Sequence, residues 1–182
     1  MKFYDLAIER QSVRKYKDSK VERDKIEKCI EAARIAPSAC NSQPWKFIVV
    51  DDEELRLEVA KATYNQVIAF NKFAKNAPVM VVITLEKPKF VAQVGKTVKD
   101  RDFPLIDIGI AAEHFCLQAT ELGLGTCMIG WFNEKKVKSL LNIPDKKRIG
   151  LMISLGYPVD DYKQRKKIRK EFGDIVAYNE YT

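Results

Sequence analysis

Apolar residues recur along this chain at two different spacings, and the switches between them divide it into short helices and strands. Phe3, Leu6 and Ala7, with Arg10, fall at helical spacing and mark a first helix over Phe3 to Arg10. Ile26, Cys29, Ile30 and Ala33 lie on one stripe of a second, Glu22 to Ile35, which Pro37 ends. Lys46 to Val50 reads as a short buried strand, after which Asp51-Asp52 caps a helix over Glu53 to Thr63. A further helix is predicted over Gln66 to Lys75, stopped before Pro78. The β-branched run Val79 to Leu85 is the strongest strand. Glu86 to Asp102 is basic and irregular and reads as a surface excursion. Pro104 to Leu122 is helical in pattern but apolar nearly all round, which suits a central position or a subunit interface. Thr126 to Ile129 and Ile149 to Leu155 give two more strands, with a helix at Glu134 to Leu141 between them. Pro158 closes this pattern, and a basic tail runs from Val159 to Thr182, with Phe172, Ile175, Val176 and Tyr178 as its apolar anchors.

Helices and strands are mixed, and the strands are too irregularly spaced for a doubly wound βαβ order, so the expected class is α+β. The 182 residues show no repeat, linker or low-complexity stretch, and we expect one domain over 1–182. The longest mostly apolar run is Val79 to Leu85, too short for a membrane-spanning helix, and the N-terminus has no signal-peptide pattern. The expectation is a cytoplasmic protein without a membrane partner.

Charge changes the picture only modestly. Lys and Arg number 32 against 25 Asp and Glu, a net +7 that raises the question of nucleic acid. The densest basic stretches, Lys146 to Arg148 and Lys163 to Lys170, are not interleaved with aromatics as a base-stacking surface would be. They read instead as solvated surface that also attracts phosphate-bearing small molecules. Cys29, Cys40, Cys116 and Cys127 form no CxxC pair and His114 is the only histidine, so neither a metal site nor a disulfide framework is expected.

Nucleophile, metalloprotease and Walker motifs are missing, and Gly123-Leu124-Gly125 fails as a dinucleotide fingerprint because Met128 stands at the third glycine's place. Chemistry in such a chain belongs to a cofactor. Three segments are candidates to hold one. In Arg10-Gln11-Ser12-Val13-Arg14, two arginines at i and i+4 can converge on one anion, although a solvated helix end reads the same way. Ala36 to Trp45 sets Ser38, Asn41, Ser42 and Gln43 between two prolines. A plain connection needs only about 4–6 residues and fewer directed polar groups, yet a polar surface loop fits this segment equally. Gly123 to Trp131 has glycines at both ends that let backbone lie against a flat ligand; a helix cap leading into a core strand is the alternative.

Taken together, the three segments resemble the FMN-dependent nitroreductase family. Arg10 to Arg14 looks like its R-x-S-x-[RK] motif, Ala36-Pro37-Ser38 with Asn41, Gln43, Pro44 and Trp45 like its AP-S-x-x-N-x-QPW motif, Gly123-Leu124-Gly125 through Gly130 like its GLG segment, and Leu155-Gly156-Tyr157-Pro158 like its LGYP ending. The resemblance spans nearly the whole chain. It implies a nitroreductase-like α+β fold with a central, mostly antiparallel sheet flanked by helices, in an intertwined homodimer whose C-terminal tail crosses to the partner. It implies one FMN in each of two shared interface sites. Arg10 and Ser12, with Gln11 beside them and Arg169 and Lys170 from the tail, would hold the phosphate. Arg14 would lie by the N1/O2 edge of the ring as an electrostatic stabiliser. Pro37, Ser38, Asn41 and Gln43 would line the ring, and Cys127, Met128, Ile129 and Gly130 would supply backbone contacts near N5 and O4.

No protein acid or base is obligatory in the implied ping-pong reaction. NADH or NADPH would deliver a hydride through flavin N5 to a nitroaromatic, quinone or similar small acceptor. The chain is short for the family, so the lid over the flavin would fall to Tyr64 to Lys75 or to Glu86 to Phe103. Asn71 is a flavin or lid contact on position only, and Phe70, Phe73, Phe90 and Phe103 are candidates for stacking on substrate. An FMN-binding protein with a storage or sensing role is the alternative function. A flavin-free basic protein would leave Pro37 to Trp45 unexplained.

Overall fold

The most apolar strand of the sequence lies inside the sheet. In the computed structural model, which describes residues 2–67, 69–87 and 102–181, β1 (Trp45–Val50) and β2 (Val79–Leu85) pair antiparallel from Trp45↔Leu85 to Val50↔Met80. Strand β3 (Gly125–Ile129) and β4 (Arg148–Gly156) complete an antiparallel sheet of order β1-β2-β4-β3. This is the antiparallel α+β arrangement expected. Every residue of β2 but Leu85 is buried, because both faces are covered. Val79, Val81 and Ile83 face a core built with Ile26, Cys29, Ala111 and Phe115, while Met80 and Val82 face a second with Val59, Ala60, Val137 and Met152. A strand buried on both sides loses the polar alternation of a half-solvated one.

Five α-helices flank the sheet among the described residues: α1 (Phe3–Glu9), α2 (Arg23–Arg34), α3 (Glu53–Lys61), α4 (Phe103–Glu121) and α5 (Glu134–Leu140). The predicted cap holds, with Asp52 Oδ1 accepting from Leu55 N at 2.9 Å. Helix α4 buries Ile108, Ala111, Ala112, Phe115, Cys116 and Ala119 against the first core. Its other flank, with Ile106, Ile110 and Leu117, lines an open groove of ≈ 740 Å³ together with Phe3 and Leu6 of α1. The all-round apolar character of this helix thus reflects one packed face and one uncovered face.

The helix predicted over Gln66 to Lys75 is not formed among the described residues of that span, where only Lys72–Asn76 is helical, as a 3-10 turn. Asn65 Oδ1 accepts the Val67 N–H at 2.9 Å, and a short polar side chain that binds local backbone competes with the helix in this way. Helix α1 stops at Glu9, with Arg10 in an extended conformation at φ −55, ψ 124. The two motif arginines are therefore not on one helix. Most of the predicted surface excursion, and Phe90 with it, lies outside the described residues.

Candidate functional site

Strand β3 is an edge, and its free side receives the segment that follows α1. Ser12 bridges Thr126 in parallel, and Val13 N donates to Thr126 O at 2.8 Å. Val13 is 3% exposed. Because side chains alternate along extended backbone, burying Val13 against the sheet turns Ser12 and Arg14 the other way, with Arg10 two residues before them. Convergence of the arginines comes from strand period, not from a helical i, i+4 pair. Gly125 makes the close approach possible: a Cβ there would stand 2.7 Å from Val13 Cβ.

The tail closes this edge from outside. Tyr162 Oη accepts from Arg14 N at 3.1 Å and donates to Ser12 O at 3.3 Å. Gln164 Nε2 donates to Ile8 O at 2.9 Å, and Arg165 donates through its guanidinium to Ser12 O. Lys167 Nζ reaches the C-terminal end of α1, bonding Ala7 O in its last turn at 2.7 Å and the capping Arg10 O at 2.6 Å, where a cation suits the helix dipole. The result is an open cavity of ≈ 280 Å³ lined by Arg10, Gln11, Ser12, Arg14, Arg165, Lys166, Lys167, Ile168 and Arg169.

Six of these nine lining residues carry positive charge, and little offsets them. Arg10 Nε stands 3.0 Å from Glu113 Oε1, but off line, so its buried N–H has no hydrogen-bond acceptor. Arg14 lies over the Phe73 ring, 5.6 Å from its centroid. Partial burial, and then the neighbouring Arg10 and Arg169 charges, lower the Lys167 pKa below its ordinary value. A site that penalises its own cation favours an incoming anion.

The predicted backbone segment borders this basin. Cys127 is buried, and burial raises its thiol pKa while Arg14 and the Ser12 hydroxyl pull it back. The thiol therefore stays protonated and is poorly suited to act as a nucleophile. Met128 is half-buried, Ile129 is core, and Gly130 is exposed with nothing within 4 Å of where its Cβ would be. Trp131, just beyond, is 55% exposed.

Pro37, Ser38, Asn41 and Gln43 lie elsewhere on the chain's surface. They form a tight loop in which Gln43 N donates to Ser38 Oγ at 3.0 Å and Gln43 Nε2 to Asn41 Oδ1 at 3.0 Å. Among the described residues, none of these four hydrogen-bonds to the Arg10–Arg14 segment. Asn71 is 7% exposed and its amide donates to Thr63 O at 3.3 Å and Trp131 O at 3.2 Å. Its described bonds brace the turn before β2 against the segment after Gly130. Lys170 is exposed and is not among the residues lining the basin, whereas Arg169 is. Arg165, Lys167 and Tyr162 were not singled out from sequence. The basic run 163–170, which by composition alone is indistinguishable from solvated surface, is the only signal for Arg165 and Lys167, and Tyr162 just before it has none.

Among the described residues, no group of His, Cys, Asp and Glu could hold a metal ion, and no helix is long and apolar enough to cross a membrane.

Comparison with known proteins places this geometry. Residues 7–157 match the Nitroreductase family. The chain is 33% identical over 156 residues to a protein of Archaeoglobus fulgidus provisionally named an NADH dehydrogenase/NAD(P)H nitroreductase, covering 84% of this chain and 83% of that one. A crystal structure of a nitroreductase family protein from Clostridium novyi NT superposes with a TM-score of 0.78 at 39% identity, over 88% of this chain and 87% of the other. One named FMN-dependent nitroreductase, from Clostridium difficile R20291, gives 0.79 at 31% identity over 98% and 100%. With the match running through the N-terminal arginines, the sheet and the Gly156-Tyr157 ending, the chain is an oxidoreductase and belongs to the nitroreductase family.

Proposed function

We propose that the protein binds FMN and uses NADH or NADPH to reduce a small planar acceptor such as a nitroaromatic or quinone. The observation that carries this reading is the basin beside β3, where Arg10, Arg14, Arg165, Lys167 and Arg169 gather around Ser12. The donor set fits the cofactor's phosphate: guanidinium forks and ammonium groups grip phosphate oxygens, and a hydroxyl adds a neutral donor. Space fits as well, since the open flank of Gly130 leaves room for a flat ring beside the backbone.

When bound, the flavin supplies a two-electron carrier between nicotinamide and acceptor. The chain's residues bind and orient. Arg10, Ser12, Lys167 and Arg169 are assigned to the phosphate. Arg14, exposed and held by Phe73 and Tyr162, is assigned to the edge of the ring where negative charge develops. Cys127 to Gly130 present main chain, so no side-chain proton donor is required of them. Positioning is their contribution.

The same reading makes the protein a homodimer. The uncovered groove between α1 and α4 is apolar, with Phe3 73% and Ile106 53% exposed, and a patch of this kind calls for a covering surface. A second copy supplies it, and brings the partner's 37–43 loop toward the basin that this chain's own loop does not reach. Phe172, Ile175 and Tyr178, all exposed on the tail, then have a partner surface to grip.

The test is a visible spectrum of the purified protein with added FMN, then NADH under anaerobic conditions. Flavin bands that remain with the protein on gel filtration, and bleach with NADH, support the reading. Bands that remain but resist NADH and NADPH point to the storage or sensing role. No retained flavin refutes it.

A further inference from the structure

The 37–43 loop holds an improbable shape, and its one anchor is a buried acid. Cys40, Asn41 and Gln43 all have positive φ, at 53°, 50° and 46°, a conformation that L side chains rarely adopt and that marks over-determined functional loops. The loop's internal bonds, including Ser42 N to Ala39 O at 3.1 Å, fold it on itself. Among the described residues, a single hydrogen bond joins residues 37–43 to a distant element: Ala39 N donates to Asp107 Oδ1 at 3.1 Å. Asp107 sits on α4 and is 3% exposed, and its Oδ2 is buried without a partner. Ser42 Oγ, one peptide bond beyond the helical turn, is likewise buried and unpartnered.

Its neighbours Ile108, Ala111 and Ala112 show that this face of α4 otherwise packs by apolar contact. A half-satisfied buried carboxylate is a poor packing element there, since an unmet oxygen forfeits its hydration. What it does supply is one charge-assisted acceptor at the amide that starts the left-handed turn. We propose that Asp107 is the positioning residue of this loop, fixing the Ala39 peptide so that Ser38, Asn41 and Gln43 are presented in one geometry to the flavin ring. The assignment rests on the flavin-binding reading above.

The test compares FMN with riboflavin, which has the ring but no phosphate. Protein stripped of flavin is titrated with each, reading flavin fluorescence, for wild type, Asp107→Ala, Asp107→Asn and Ala39→Pro. Asp107→Ala should weaken both ligands by the same factor, roughly tenfold or more, because the loop touches only what they share. Asp107→Asn keeps an acceptor and should recover most of that loss. Ala39→Pro removes the donor from the other side, is tolerated at the first position of a helical turn, and should add little when combined with Asp107→Ala. Should Asp107→Ala fail to fold, Ala39→Pro alone decides. Equal binding by wild type and variants overturns the assignment while the flavin reading stands. So does a loss confined to FMN, or an Asp107→Asn variant as weak as Asp107→Ala. A wild-type chain that binds neither ligand overturns the flavin reading and this assignment together.

Discussion

Gly125→Ala tests whether the Arg10–Arg14 segment is docked on β3 by steric permission at a single glycine. The added Cβ would stand 2.7 Å from Val13 Cβ, 2.7 Å from Cγ2 and 2.8 Å from Cγ1. Carbon atoms in contact sit about 3.5–4.0 Å apart, so Val13 must retreat by on the order of 0.7 Å or more. Its amide donates to Thr126 O at 2.8 Å, and a retreat of that size along the bond carries it beyond about 3.5 Å, where it no longer counts. Overpacking costs about 1–3 kcal/mol and the lost bond about 1 kcal/mol. Removing a glycine from the unfolded chain returns about 0.4–1 kcal/mol. The net expectation is a destabilisation of about 1–3.5 kcal/mol, read as a lower urea midpoint at unchanged slope by tryptophan fluorescence. Flavin affinity should fall as well, because Ser12 and Arg14 ride on the displaced segment. Val13→Ala removes two of the three clashing atoms, so its cost in the Gly125→Ala background should be smaller than in wild type. Wild-type stability in Gly125→Ala, or strict additivity with Val13→Ala, would refute the docking account.

Four further outcomes are expected. Glu113→Gln removes the acid that stands 3.0 Å from Arg10, and should tighten FMN binding a fewfold, by about 0.5–1 kcal/mol for a half-exposed pair; weaker binding in a fluorescence titration would make Glu113 a support for Arg10 instead of a competitor. Tyr16→Phe strips hydrogen bonds to Val13 O at 2.7 Å and Ser154 Oγ at 2.8 Å, and should cost about 1–2 kcal/mol in urea denaturation. Burial raises the Tyr16 hydroxyl above its ordinary 10.0 and the Cys29 and Cys116 thiols from 9.0 to about 12. The unfolded chain therefore sheds these protons first, and stability, level below about pH 9, should fall as pH rises toward 12, less steeply in Tyr16→Phe; a midpoint flat between pH 9 and 11 contradicts this. Cys40 is the exposed thiol among the four, so a thiol reagent at pH 8 should titrate one fast equivalent per native chain, and two or more would show that Cys29, Cys116 or Cys127 opens locally.

Much of the fold was legible because its elements satisfy one rule each. Val79–Leu85 combines β-branching with burial on both faces, and the helix over 23–34 has an apolar stripe of the right period and a proline after it. The false helix over 66–75 failed where rules compete, since Asn65 offers its side chain to the backbone at 2.9 Å and periodicity does not register that bond. The candidate site was legible in type but not in assembly. Arg10 and Arg14 line one cavity, as their pairing in the sequence suggests, yet their geometry depends on Val13 burying against Thr126, a contact that spans over a hundred residues. Arg165 and Lys167 are placed by Ser12 O and by the carbonyls of Ala7 and Arg10, partners that no local spacing reveals.

The arrangement couples the basin to the sheet edge. Ser12 and Val13 are held by β3, Lys17 N donates to Tyr157 O at 2.8 Å, and Tyr16 bridges Pro158. The segment that carries Arg10, Ser12 and Arg14 is thus stitched at both ends to residues that follow β4 or form β3, while the tail that adds Arg165 and Arg169 leaves from Pro158 itself. Neither half of the basin exists without the other. A ligand that bridges them binds the folded edge and not the unfolded chain, and so stabilises it by RT ln(1 + [L]/Kd), about 2.7 kcal/mol at a hundredfold excess over Kd. Without a ligand, several unneutralised cations repel across a cavity of ≈ 280 Å³, and a stitched edge is what keeps them together. The sheet edge therefore holds the cationic basin assembled in the chain by itself, which is what preorganisation for the proposed phosphate means physically.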